Sequence, residues 1–165
     1  VMQTSTDTTD GARILLRRIE PPLSPQSEVI VQIARVFREA RVAHLSFLND
    51  LHDEQDTRAF LADRLVRETD VWTARIEGEL AGFMALRDGW VQQLYVAPPF
   101  QGGGVGSALL SLAKASGRRL ELWVFQVNLQ AIRFYEKRGF LVVERTDGAG
   151  NEARRPDARM QWIAR

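Results

Sequence analysis

The stretch Leu94-Tyr95-Val96-Ala97-Pro98-Pro99-Phe100-Gln101-Gly102-Gly103-Gly104-Val105-Gly106-Ser107 decides how the rest of the chain is read. It has the shape of an apolar strand stopped by two prolines, a glycine-dense turn, and a helix opening near Val105. Glycines at 102, 103, 104 and 106 leave a main chain without Cβ atoms, free to take positive φ and to be approached closely by a ligand. The first amides of the following helix have no acceptor inside the helix, and the helix dipole adds partial positive charge there. Such a turn is a receptor for a phosphate or diphosphate. Taken alone, three consecutive glycines equally suit an unligated surface turn; the strand before and the amphipathic helix after favour the anion site.

Two common phosphate loops do not fit. Gly-x-x-x-x-Gly-Lys-Ser/Thr needs a lysine, and none lies between Gly102 and Ser107; Gly-x-Gly-x-x-Gly fails on spacing. The pattern that does fit is Gln/Arg-x-x-Gly-x-Gly/Ala, filled by Gln101, Gly104 and Gly106. It resembles the coenzyme-A-binding motif of the GNAT superfamily of N-acetyltransferases, and Leu94-Tyr95-Val96 before Pro98 resembles that family's lead-in strand.

A second motif follows one strand later. Asn128, Ala131 and Tyr135 stand three and then four residues apart, so they share one helix face. Ala131 keeps the middle of that face low, between an amide and a phenol. Individually, Asn128 reads as an N-cap and Tyr135 as a core tyrosine. Together, Asn128-x-x-Ala131-x-x-Phe134-Tyr135-x-x-x-Gly139-Phe140 resembles the other GNAT signature, in the order that family uses.

Working outward, the element order is that of an α+β fold. Ala12 to Glu20 is a first strand, Ser27 to Arg41 an amphipathic helix, and Ala59 to Val66 a second helix capped by Asp56 or Thr57. Val71 to Ile76, Leu80 to Leu86 and Trp90 to Val96 form a meander with turns at Glu77-Gly78 and Asp88-Gly89. A helix from Val105 to Ser116 comes next. Leu120 to Val127 is apolar enough for a strand covered on both faces. A helix from Leu129 to Arg138 ends at Gly139, and Phe140 to Arg145 and Arg159 to Ala164 close the sheet. The expectation is a GNAT-like mixed, mostly antiparallel sheet of about 7 strands with about 4 helices. Residues 1–11, rich in Ser, Thr and Asp, are expected to be a disordered start, and residues 12–165 a single domain.

Bulk composition narrows the function classes. A net charge of +1 gives no broad field for nucleic acid or an acidic membrane, so neither is expected as a partner. With no cysteine there is no thiolate metal site and no cysteine acyl-enzyme, and a reducing, cytoplasmic setting suits the chain. His44 and His52 lack metal-binding spacing, so no metal is expected. No run approaches the roughly 18 apolar residues of a membrane span.

The resemblance implies acetyl-CoA as acyl-donor substrate. It places the pantetheine arm along Leu94, Tyr95 and Val96, and the diphosphate on Gln101, Gly102, Gly103, Gly104, Val105, Gly106 and Ser107. Asn128, Ala131 and Tyr135 complete the donor site, with Tyr135 as the catalytic group at the leaving sulfur. The acceptor would be the primary amine of a small molecule or peptide, attacking directly in a ternary complex; a homodimer is left open. Relatives place a glutamate on the strand before the glycine turn and a basic residue at the position of Gly103; this chain has Gln92 and Gln93, and glycine. The general base is therefore open among His52, Asp53, Glu54, Glu121 and a water chain. The phosphates would lean on main-chain donors, with Lys114, Arg118 or Arg119 as helpers. The segments Asn49 to Asp56 and Asp147 to Asp157 fall where relatives build the acceptor pocket, and Arg154 and Arg155 are either carboxylate ligands or a solvated hairpin tip. The alternatives are a non-catalytic acyl-CoA-binding sensor or partner module, and a nucleotide domain with Glu121 on a ribose.

Overall fold

The computed structural model describes residues 2–48 and 51–165. Eight strands form one sheet in the order β1-β2-β3-β4-β5-β6-β8-β7. They are β1 (Gln3–Asp7), β2 (Arg13–Ile19), β3 (Asp70–Ile76), β4 (Glu79–Arg87), β5 (Trp90–Val96), β6 (Arg119–Phe125), β7 (Leu141–Arg145) and β8 (Asp157–Ile163). All pairs are antiparallel except β5 with β6. Helix α1 (Glu28–His44) lies on one face. On the same face, α2 (Glu54–Ala59) runs through a wider π-helical stretch, Phe60–Leu65, into α3 (Val66–Glu68). Helices α4 (Val105–Ala115) and α5 (Leu129–Glu136) cover the other.

The sheet's centre follows directly from its residues. Seven consecutive positions of β4, Leu80 to Leu86, are buried because helices cover both of its faces. Phe83 and Ala85 face α1, while Met84 and Leu86 face α4. Glu77 and Gly78 take φ of 50° and 86°, and Asp88 and Gly89 take 50° and 79°, the two positive values that a type I′ hairpin turn demands.

Three expectations need correction. The N-terminal segment is not an unstructured start: Gln3–Asp7 pairs with Arg13–Arg17 as an eighth strand. All five of its residues are exposed, so no apolar alternation marked it; the open edge of β2 supplies the pairing instead. The second helix begins earlier, capped by Asp53, whose carboxylate accepts the Asp56 amide at 2.7 Å. Strand β6 is covered fully on one face and only in part on the other. Leu120, Leu122 and Val124 enter the core beside α4; on the other face Glu121 is buried, whereas Trp123 is 45% exposed.

Two features of β5 position the site. Its register against β4 slips at Gln92, where one extra residue bulges the strand, and a bulge bends and twists the strand that carries it. Its parallel partner β6 meets it at a single pair, Trp90 with Glu121. Beyond that pair the two strands part, and the sheet opens into a wedge toward Val96 and Phe125.

Candidate active site

The wedge holds a cleft of about 300 Å³. Leu94, Tyr95 and Val96 wall it from β5, with Gln101, Gly102, Gly104, Val105, Gly106 and Ser107 around the glycine turn and Asn128, Ala131 and Tyr135 on α5. Every residue expected in the donor site lines this one cleft except Gly103, which faces the N-terminal hairpin and accepts the Thr9 amide through its carbonyl at 3.2 Å.

The turn is built as its glycines require. Gly102 and Gly104 take φ of 79° and 94°, in the left-handed region that side chains disfavour. Gly106 is wanted for space: a Cβ there would meet the Phe134 ring at 3.1 Å. The first intrahelical bond of α4 runs from the Ala108 amide to the Gly104 carbonyl at 2.9 Å, so the amides of Val105, Gly106 and Ser107 precede the helical ladder. Gln101 pins the turn. Its side-chain amide donates to the Val96 carbonyl at 3.0 Å, and its oxygen meets His44 Nε2 at 3.1 Å, tying β5 to the end of α1.

On α5, Asn128 Oδ1 accepts the Ala131 amide at 3.2 Å and caps the helix. Tyr135 is packed between Phe134 and Phe140, with ring centroids at 5.2 and 5.5 Å. Among the described residues nothing hydrogen-bonds its hydroxyl. Burial, and secondarily the nearby Tyr95, push its pKa well above that of an ordinary phenol, so it stays protonated.

Arg138 brings a cation to this cleft, where Gly103 offers none. It lines the cleft, donates through Nε to Ser107 Oγ at 3.1 Å and through Nη1 to the Phe134 carbonyl at 2.8 Å, and stacks over the Phe134 ring at 3.7 Å. Sequence reading passed over it because it falls at an x of the second motif; its place four residues after Phe134, on the helix face turned to the turn, was the available signal. The helpers expected instead are elsewhere. Lys114 donates to the Arg138 carbonyl and sits over Trp162, and Arg119 pairs with Glu121; neither they nor Arg118 line the cleft.

Tyr95 is also a wall of a second cavity, about 440 Å³, on the far side of β5. Phe37, Phe60, Phe125, Leu48 and Leu51 make it largely apolar, with Arg41, Arg64, Asp56, Gln93, His52 and Glu152 among its polar groups. Both segments expected to form an acceptor pocket contribute, through Leu51, His52 and Asp56 and through Asn151, Glu152 and Ala153. Asn49 and Asp50 lie outside the described residues. Arg154 and Arg155 do not line it: Arg154 bonds the Ala149 carbonyl, and Arg155 lies over Phe47.

Of the carboxylates considered as bases, Asp53 caps α2 and Glu54 is held by Arg38 and Arg58. Glu121 bonds Arg159 and Arg119 beside the β5–β6 pair. Burial would raise its pKa, but those bonds outweigh burial and hold it below the usual carboxylate range. None of the three lines either cavity.

The acetyltransferase (GNAT) family model matches residues 33–140, a stretch that runs from α1 through both motifs. This chain belongs to the GNAT acetyltransferase family. A peptidyl-lysine N-acetyltransferase of Escherichia coli, YiaC, is 30% identical over 91 residues, 54% of this chain and 62% of that protein. Among solved structures, apo YjaB from Escherichia coli superposes with a TM-score of 0.70 at 27% identity, over 92% of this chain and 99% of YjaB. PaiA N-acetyltransferase from Thermoplasma acidophilum, solved with coenzyme A, has the same fold, with a TM-score of 0.63 at 22% identity over 91% and 98% of the two chains. The GNAT element order accounts for the wedge, since the strand–helix–strand crossover between β5 and β6 is where the sheet opens. No helix among the described residues is long and apolar enough to cross a membrane.

Proposed function

We propose that this GNAT chain is an acetyl-CoA-dependent N-acetyltransferase that passes an acetyl group directly to a primary amine of a small molecule or peptide. The observation that carries the reading is that the glycine turn, the freed edge of β5 and Tyr135 all wall one cleft. The residues present fit a coenzyme A thioester. Positive-φ glycines and the leading amides of α4 make a donor-rich floor for a diphosphate, and Arg138 adds charge. The parted edge of β5 offers main-chain groups to an extended amide-bearing arm. The coenzyme A bound by PaiA supports the same assignment here.

In the transfer, the amine nitrogen forms a bond to the thioester carbonyl carbon and the carbon–sulfur bond breaks, with sulfur leaving as thiolate. A β5 main-chain amide facing the wedge is suited to the oxyanion. The raised pKa of Tyr135 makes it a hydrogen-bond donor to sulfur and a poor source of a full proton; the proton that sulfur finally carries comes from the attacking nitrogen or from water. The lack of cysteine favours direct attack over a cysteine acyl-enzyme.

The second cavity is the acceptor site in this reading, because Tyr95 forms part of both walls. Its aromatic lining, with charges of both signs, suits an amine on an apolar stem, such as a lysine side chain, better than a polyamine. The peptidyl-lysine activity named for YiaC supports this choice. Titration calorimetry with acetyl-CoA, beside thiol release with lysine peptides, arylalkylamines and polyamines, tests it. Heat on binding and thiol release with the first two classes is the expected result. Binding without release across all three would replace the enzyme with an acyl-CoA-binding module.

A further inference from the structure

We infer that His52, held by Glu152, is the proton acceptor for the incoming amine; this rests on the acetyltransferase reading above. His52 precedes α2 and Glu152 lies between β7 and β8, yet His52 Nε2 and Glu152 Oε1 meet at 2.8 Å and both line the acceptor cavity. Two loops so distant in the chain are joined at the one place where an ammonium group must shed a proton.

An alkyl amine near pKa ~10.4 arrives protonated at neutral pH, and only its free base can attack. On β5 this chain offers the cavity Gln93, whose amide has no basic lone pair. Of the groups lining the cavity, His52 is the one whose neutral form carries a ring-nitrogen lone pair able to take a proton. The Glu152 carboxylate accepts from Nε2–H and thereby fixes the tautomer that leaves the Nδ1 lone pair free. Nδ1 takes the first ammonium proton, directly or through one water, and the half-exposed ring releases it to solvent. The second proton leaves the nitrogen after attack and goes to sulfur. The charged groups that share a cavity with the ring are Arg38 and Arg41 from α1, Asp53 and Asp56 at the start of α2, Arg64 from the π-helical stretch, and Glu152 from its own loop.

The test compares two acceptors in His52→Gln. Phenethylamine needs a base at pH 7, whereas p-anisidine, an arylamine, is already neutral there. Thiol release with phenethylamine should fall on the order of 100-fold. With p-anisidine it should stay within about threefold, and acetyl-CoA affinity should not change. Glu152→Gln should give a smaller loss with phenethylamine, about tenfold, and again spare p-anisidine, since the ring loses the partner that fixes its tautomer. An equal fall with both amines would mean a structural role and overturn the assignment, as would an undiminished phenethylamine rate. No heat with acetyl-CoA in the unaltered protein overturns the acetyltransferase reading itself, and the dyad with it.

Discussion

Tyr135 and Arg138 stand three residues apart and line the same cleft, and they answer different questions. The Tyr135 ring is fixed by its two aromatic neighbours, so Tyr135→Phe keeps the packing and removes only the hydroxyl. One hydrogen bond to a developing anion is at stake, about 1.5–3 kcal/mol, so turnover should drop about 10- to 100-fold. Acetyl-CoA affinity should stay within about twofold, read by calorimetry. Arg138→Leu should do the reverse, weakening acetyl-CoA about tenfold and flattening its salt dependence with little change in kcat. S-acetylpantetheine, which lacks every phosphate, separates a phosphate contact from a mere scaffold: its use should be the same with or without the guanidinium.

At the scale of elements, the glycine turn and β4 carry separable costs. Gly104→Ala meets nothing closer than the Thr9 amide at 3.9 Å, so its penalty is the left-handed φ alone, about 1–2 kcal/mol, read as a modest fall in thermal midpoint. Gly82→Ala is different in kind. A Cβ on β4 would sit 2.8 Å from the Tyr95 carbonyl and 3.0 Å from Val105, forcing β5 and α4 apart. It should destabilise the protein more than Gly104→Ala and also lower acetyl-CoA affinity, because it moves two walls of the donor cleft.

The elements legible beforehand were those with a local physical demand. Glu77-Gly78 and Asp88-Gly89 announced their turns through the positive φ they supply, and α1 through apolar residues at helical spacing. Strand β1 had no such mark, since an all-polar edge strand is defined by its neighbour. The start of α2 was misplaced because Asp53, Asp56 and Thr57 are all capping types, and only the fold selects one.

Across the whole molecule, two buried groups set opposite ends of the pH range. Glu121 is held below its ordinary 4.5, with burial outweighed by bonds from Arg119 and Arg159. Its contribution is therefore complete above the unfolded-state value and lost as pH falls through the lower folded one. Glu121→Gln should flatten the acid limb of a thermal-midpoint profile. Tyr135, raised by burial and then by Tyr95, works the other way: its contribution is whole below the ordinary phenol value and lost as pH climbs toward the folded one. Tyr135→Phe should accordingly soften the loss of stability above about pH 10. That the residues proposed for the donor site would line one cleft was readable in advance, because they come as two contiguous motifs joined by one crossover. The acceptor cavity was only half readable, since Phe37, His52, Gln93, Phe125 and Glu152 reach it from five separate segments and only folding brings them together.

The hydrogen bond from Thr9 to Gly103 bears on how the protein is handled. Removing the residues before Ala12 would discard β1 and unmoor the loop proposed to carry the diphosphate. A bulky purification tag fused at that end would press on the same loop. Comparing the acetyl-CoA Kd with and without residues 1–11 shows at once how far that short hairpin belongs to the binding apparatus.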